Sequence, residues 1–356
     1  MSSDNIPVEK KRKGAGCLRW LGWAALGSMI LLLVLMVVGV IYQTVSSAKE
    51  SKTYKPLDQM VDVDGIQLRL DCRGSGSPTV VLETGAGMYS IAWLRIQDDV
   101  AKFARVCSYD RAGLGWSDSL GKALSPQQVA VMLHALLEKG GEKPPYLMVG
   151  HSLGGIYVRA FAESYPDDVV GMVLVDSSHD TQNLLFPAEF VKVETMQAAA
   201  FQFCQTTAPF GFVRAVKMMD AFTVAFPVTD EEKVPLLAAM YRTPYCGAAA
   251  REAGMFSAYA SQPKELTRLG DMPLIVLTSG YDAQEKYDEL PPYFQSQVTV
   301  EVMQQEVDAW EAMQEELAGL STRGKRIVVQ SGHNIQLDSP QAVLDAIREV
   351  FDQVPK

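Results

Sequence analysis

Short apolar runs recur along the chain at residues 67–70, 79–82, 106–109, 146–149, 172–175, 274–277 and 326–329. Several are apolar at consecutive positions, which suits strands buried on both faces of a parallel sheet. Helical patterns separate them. One runs from Pro126 to Lys139 with Ser125 as N-cap, and Val129, Met132, Leu133, Leu136 and Leu137 form its buried stripe. A second follows Leu153 and stops before Pro166. A third spans 302–320, with Met303, Val307, Trp310, Met313, Leu317 and Leu320 on one side, and reads as a crossover without chemistry. The last opens at Ser339-Pro340 and aligns Val343, Leu344, Ile347, Val350 and Phe351. This alternation predicts an α/β fold, a mostly parallel sheet covered by helices on both faces.

Two segments depart from the alternation. From Leu21 to Tyr42 the chain is uncharged and apolar for 22 residues, enough to cross about 30 Å of hydrocarbon. Secretory signal cores are shorter, so a transmembrane signal anchor is favoured over a cleaved peptide, although Val45-Ser46-Ser47-Ala48 offers small residues for cleavage. Trp20, Trp23 and Tyr42 sit where interfacial rings are favoured. The reading is a basic tail at 1–20, a span at 21–42, a linker at 43–56 and a catalytic domain at 57–356. The other departure lies at about 181–268, far more chain than one crossover needs. It is helical and rich in Met and Phe, among them Met196, Phe201, Phe203, Phe210, Phe212, Phe222, Phe226, Met240 and Met255.

Charge orients the anchor. Residues 1–20 hold Lys10, Lys11, Arg12, Lys13 and Arg19 against Asp4 and Glu9, a balance of +3, which leaves −13 on the rest of a chain whose formal net charge is −10. The far flank has Lys49, Lys52 and Lys55. The excess on the first side predicts a cytoplasmic N-terminus and an extracytoplasmic catalytic domain. An acidic domain speaks against nucleic-acid binding, which wants a basic face. No Cys-x-x-Cys pair or His-rich spacing suggests a metal, no Gly-x-x-x-x-Gly-Lys loop suggests a nucleotide, and no cofactor is expected.

The chemistry-bearing motif is Gly150-His151-Ser152-Leu153-Gly154, directly after the run at 146–149 and before a helix. A serine at a sharp strand-to-helix turn takes strained backbone angles, and flanking glycines remove the Cβ atoms that would clash there. A nucleophilic serine needs a base. Of the four histidines, His134 falls on the wet face of its helix, His151 is fixed beside the serine, and His179 suits a loop role. His333, in Ser331-Gly332-His333-Asn334 between the last strand and last helix, is placed to take and return a proton.

Ser152 followed by His333 resembles the α/β-hydrolase superfamily, over roughly Leu57 to the C-terminus. That resemblance implies an α/β-hydrolase fold with a helical cap at about 181–268. It also implies an oxyanion hole from the N–H groups of Ala86, in Thr84-Gly85-Ala86-Gly87, and of Leu153. Thr84 stands where the family usually has histidine. The triad acid would be Asp282, after the strand ending at Leu277, with Asp176 as the alternative. Asp110 and Arg111 would form a buried ion pair or loop clamp. The strands bearing Cys72 and Cys107 would be neighbours, and Cys204 and Cys246 would both lie in the cap, which favours those two disulfides in an exported domain. The resulting expectation is a membrane-anchored serine hydrolase for a hydrophobic, uncharged small-molecule ester or lipid. An acyltransferase on the same triad and a non-catalytic binding scaffold stay open. Epoxide hydrolases and dehalogenases of this fold use an aspartate nucleophile, against Ser152.

Overall fold

The computed structural model describes residues 15–54, 59–222 and 228–354. The basic run Lys10, Lys11, Arg12 and Lys13, the acidic Asp4 and Glu9, and Lys55, Leu57 and Phe226 lie outside them; nothing is described of the Phe222 side chain.

Among the described residues eight strands form one sheet in the order β1-β2-β4-β3-β5-β6-β7-β8. They are β1 Gln59–Val63, β2 Ile66–Arg73, β3 Thr79–Glu83, β4 Arg105–Tyr109, β5 Tyr146–His151, β6 Val169–Val175, β7 Leu274–Ser279 and β8 Gly324–Val329. Pairing is antiparallel from β1 through β2 to β4 and parallel from there on. The consecutive apolar residues of the central strands divide between two cores, because side chains alternate across a sheet. Val81, Met148, Leu174 and Val276 face one, and Val80, Leu147, Val173 and Ile275 the other.

Helices of seven or more residues are α1 Ala15–Tyr54, α2 Pro126–Lys139, α3 Leu153–Ser164, α4 Ala188–Thr207, α5 Asp230–Met240, α6 Thr243–Ala260, α7 Ala283–Glu289, α8 Val300–Ala318 and α9 Pro340–Gln353. Leu133, Leu136 and Leu137 of α2, Val158 and Phe161 of α3 and Leu317 of α8 cover the first core. Val343, Ile347, Val350 and Phe351 of α9 close the second. The N-terminal signals of α2 operate as read: Ser125 and Gln128 make a reciprocal capping box ahead of Pro126. Strand β1 was not anticipated. It pairs with β2 across Asp64-Gly65, both at positive φ, and its mixed exposure as an edge strand hides it from an apolar-run reading.

Helix α1 is long and apolar enough to cross a membrane by length and composition. It also corrects the linker expected at 43–56. Residues 43–54 continue the helix instead, because one side of this turn docks on the insertion between β6 and β7. Gln43 is buried and donates Nε2–H to the Tyr241 carbonyl at 2.7 Å. Arg214 donates to Gln43 Oε1 at 3.0 Å and pairs with both oxygens of Glu50. The insertion, α4 to α6 with shorter helices between, builds its own apolar cluster from Met219, Leu236, Ala239 and Met240. That cluster packs on Leu114 and Trp116 of the loop after β4. Disulfides join Cys72 to Cys107 on neighbouring β2 and β4, and Cys204 of α4 to Cys246 of α6.

Candidate active site

Strand β5 ends at His151, and α3 starts at Leu153, so Ser152 makes the whole turn. Its φ of 51° and ψ of −125° lie where a side chain is strained, at a cost of about 1–3 kcal/mol. The turn is held from several directions. Ser152 N–H donates to the Val175 carbonyl at 3.1 Å, and its own carbonyl accepts from Gly155 at 2.9 Å and Ser178 at 3.0 Å. A Cβ on Gly154 would stand 2.6 Å from the Thr84 carbonyl, so only glycine lets α3 pass this close to the end of β3.

His333 follows β8, and its Nδ1 lies 2.6 Å from Oδ2 of Asp176, just past the end of β6. Asp176 is buried, and Oδ1 accepts from Ser279 N–H at 2.9 Å and Trp310 Nε1–H at 2.8 Å. Burial opposes its charge, but the hydrogen bond and positive charge of His333, with Lys286 and Ser279, outweigh this and hold the carboxyl below its ordinary range. An ionised acid accepts only, so Nδ1 carries a hydrogen, and in the neutral imidazole Nε2 of His333 is left as the acceptor.

Asp282, the first candidate for this acid, is elsewhere. It is exposed and caps α7, accepting from Gln284 and Glu285 N–H at 2.9 Å each. Only Gly280 and Tyr281 separate it from β7, and α7 starts immediately after it, so its side chain is spent on the helix end. The carboxylate on the imidazole belongs to Asp176. Sequence reasoning also missed Trp310, taken as a core residue of a plain crossover. Its indole N–H grips Asp176, its ring stands edge-on to His333 at 6.1 Å, and Phe186 stacks on it at 5.9 Å. One signal was available: a buried indole N–H needs an acceptor. Gln314, a polar residue buried one turn further along α8, donates to the Ser177 carbonyl at 2.7 Å.

His151 joins the elbow to the histidine loop. Its Nε2 is 3.0 Å from the His333 carbonyl, which only accepts, so Nε2 bears the hydrogen. The rings of His151 and His333 lie 4.8 Å apart. Burial, then the neighbouring His333, push the His151 pKa down to about 3, and the ring stays neutral. His134 stacks on Tyr165 at 4.0 Å and meets Asp168, away from this site.

Residues 84–87, after β3, form the loop beside Ser152. Ala86 is exposed at its tip, and a Cβ on Gly85 would lie 3.1 Å from that of Ser152. Leu153 N–H belongs to the first turn of α3, whose amides have no partner within the helix. Arg111 and Asp110 are both buried but do not pair with each other. Asp110 accepts from Ser90 and from Trp116 N–H. Arg111 instead grips the loop, donating to Glu83 Oε1 at 2.6 Å, the Thr84 carbonyl at 2.8 Å and the Gly85 carbonyl at 2.7 Å. Its other N–H groups reach Glu252 of α6 at 2.6 and 2.9 Å, and Glu252 also accepts from Gly87 N–H at 2.9 Å. Thr84 fills the place expected of histidine by donating to the Met88 carbonyl at 3.0 Å. The backbone on either side of Ala86 is therefore clamped.

Among the described residues one group of potential metal ligands converges, Cys72, Cys107 and Glu142. Its sulfurs are joined in a disulfide and Glu142 is paired with Arg105, so no thiolate is offered.

Residues 78–340 match the family described as alpha/beta hydrolase fold. The uncharacterized protein YqjL of Bacillus subtilis (strain 168) is 28% identical over 300 residues, 83% of this chain and 92% of that one. A thermophilic esterase from Thermogutta terrifontis superposes with a TM-score of 0.54 at 22% identity, covering 83% of this chain and 97% of its own. The enol-lactonase from Burkholderia xenovorans LB400 gives 0.53 at 16%, covering 83% and 100%. At these identities the structural likenesses speak for the fold alone.

Proposed function

Because the chain belongs to the alpha/beta hydrolase fold family, we propose that it is a serine hydrolase that cleaves a hydrophobic, uncharged carboxylic ester through Ser152, His333 and Asp176. The observation that carries this reading is the 2.6 Å bond from His333 to a buried carboxylate whose second oxygen is held by Trp310 and Ser279. Such a partner fixes the imidazole tautomer and stabilises the imidazolium that forms when it takes a proton.

Ser152 Oγ attacks the ester carbonyl carbon as His333 Nε2 accepts the hydroxyl proton. The carbonyl π electrons move to oxygen, which the N–H groups of Ala86 and Leu153 receive. The tetrahedral centre collapses, the ester C–O bond breaks, and Nε2 returns the proton to the departing alcohol. Water then attacks the acyl-serine by the same route in reverse, releasing the acid and restoring Ser152. Substrate chemistry follows from the insertion over the site, whose Met- and Phe-rich helices offer no cluster of cations for an anionic group.

The protein is read as single-pass, anchored by 21–42 of α1 with the N-terminus cytoplasmic and the hydrolase outside. The hydropathy of α1, the charge bias across it and the two disulfides support this. A fluorophosphonate probe tests the enzyme: labelling of the full chain that disappears in Ser152→Ala is expected. A folded, unlabelled wild-type protein would leave the non-catalytic scaffold standing. Nitrophenyl esters of graded acyl length then report the size and polarity of the pocket.

A further inference from the structure

The insertion touches α1 within the apolar run itself. A Cβ on Gly39 would run into the Phe210 carbonyl, and one on Gly211 would stand 2.7 Å from the Gly39 carbonyl and 3.4 Å from the Tyr42 ring. Gly211 has φ +70°, so glycine at both positions lets helix and loop meet backbone to backbone. Gly39 lies three residues inside the end of the apolar run, about 5 Å along the axis, which sets this loop level with the hydrocarbon boundary if α1 spans the bilayer.

Large apolar side chains surround the contact without cover from the chain. Phe203 is 51% exposed, Phe210 38%, Phe212 44% and Val216 51%, and Phe203 and Phe212 meet edge to face at 5.9 Å. Charge follows the same plan. In a chain of net charge −10, no Asp or Glu occurs between Phe203 and Lys217. The two cations of that stretch are divided: Arg214 turns inward to Glu50, and Lys217 is exposed at the rim.

We propose that this tip of the insertion is a lipid-docking surface, with Phe203, Phe210, Phe212 and Val216 entering the leaflet next to the hydrolase domain and Lys217 meeting its headgroups. The proposal rests on the reading of α1 as a membrane span. Continuity with that span selects lipid as the occupant, since a partner protein would have to share the same shelf with the bilayer. The insertion that overlies the serine is then seated in the phase where an apolar ester accumulates.

The test uses the full chain carrying Cys17→Ser, reconstituted into vesicles of phosphatidylcholine and phosphatidylglycerol. A nitrobenzoxadiazole label is placed in turn at Phe212→Cys, at Leu33→Cys in the span, and at Val131→Cys, an exposed apolar site on α2. Quenching by phosphatidylcholine spin-labelled near its headgroup is then read. The expected result is quenching at 212 several-fold above that at 131, with the label at 33 quenched by chain-centre spin labels. Quenching at 33 with no difference between 212 and 131 overturns the docking surface and leaves the span standing. A label at 33 that escapes both quenchers overturns span and surface together. Repeating the reading at Val216→Cys separates lipid contact from a local disturbance at 212.

Discussion

Ser152 and Asp176 stand just past the ends of the neighbouring strands β5 and β6, and both hold positive φ, 51° and 41°. Strain of this kind persists where surrounding bonds over-determine it, and each backbone is pinned by the adjoining strand. The two aspartates separate cleanly in experiment. Asp176→Asn is expected to lower kcat by about 10⁴-fold, as loss of the correct tautomer does, while Asp282→Asn leaves kcat within a few-fold and, because Asn caps a helix about as well as Asp, changes stability by only about a few tenths of a kcal/mol. Steady-state kinetics and thermal unfolding of both variants check this. His151 gives a pH signature. Its folded pKa of about 3 lies below the unfolded 6.5, so the unfolded chain binds more protons between those values. The stability it contributes is complete above about pH 6.5 and lost as pH falls towards 3; Asp176, also lowered, acts with the same sign. The melting temperature should therefore drop on acidification below pH 6.5, and His151→Gln should flatten that slope, read by thermal unfolding in a pH series. The strand-to-helix turn at Ser152 and the loop position of His333 were readable because a local motif and chain order name them. The acid was not, since two aspartates follow strand ends. Which one meets His333 depends on how β6, β7 and α8 pack, with Trp310 contributed from 134 residues away.

The elements were legible where their periodicity was strong. Seven strands and the long helices fall on their apolar patterns, whereas β1 and the turns of α1 past Tyr42 do not. In those turns the helix is polar in sequence and is held by tertiary contacts, Gln43 on Tyr241 and Glu50 on Arg214, which no local pattern announces. The Arg214–Glu50 pair is largely withdrawn from water, with side chains 8% and 23% exposed. A double-mutant cycle of Arg214→Ala and Glu50→Ala is expected to show a coupling of about 1–3 kcal/mol in unfolding free energy. Additive losses would mean that the two charges do not act together. The fold of the insertion was legible only as helical and apolar. Its attachment to α1 was not, because it depends on a Gly39–Gly211 approach between segments far apart in sequence.

At the scale of the whole molecule, four of five cysteines are paired. Alkylation of the unfolded, unreduced chain from its native membrane should modify Cys17 alone, and all five cysteines after reduction, read by mass spectrometry. Five modified without reduction would place the hydrolase domain in a reducing compartment. The molecule also contains a mechanical link. Helix α6 begins at Thr243, whose hydroxyl lies 3.3 Å from Gln43 Nε2, and about 13 Å along the same rod Glu252 holds Gly87 beside Ala86. On the proposed reading of α1 as a span and of the Ala86 amide as an oxyanion donor, this strut joins the surrounding leaflet to that amide. Turnover measured in micelles and in bilayers of different thickness should accordingly differ in kcat, and severing the strut with Glu252→Ala should remove that dependence on the host lipid.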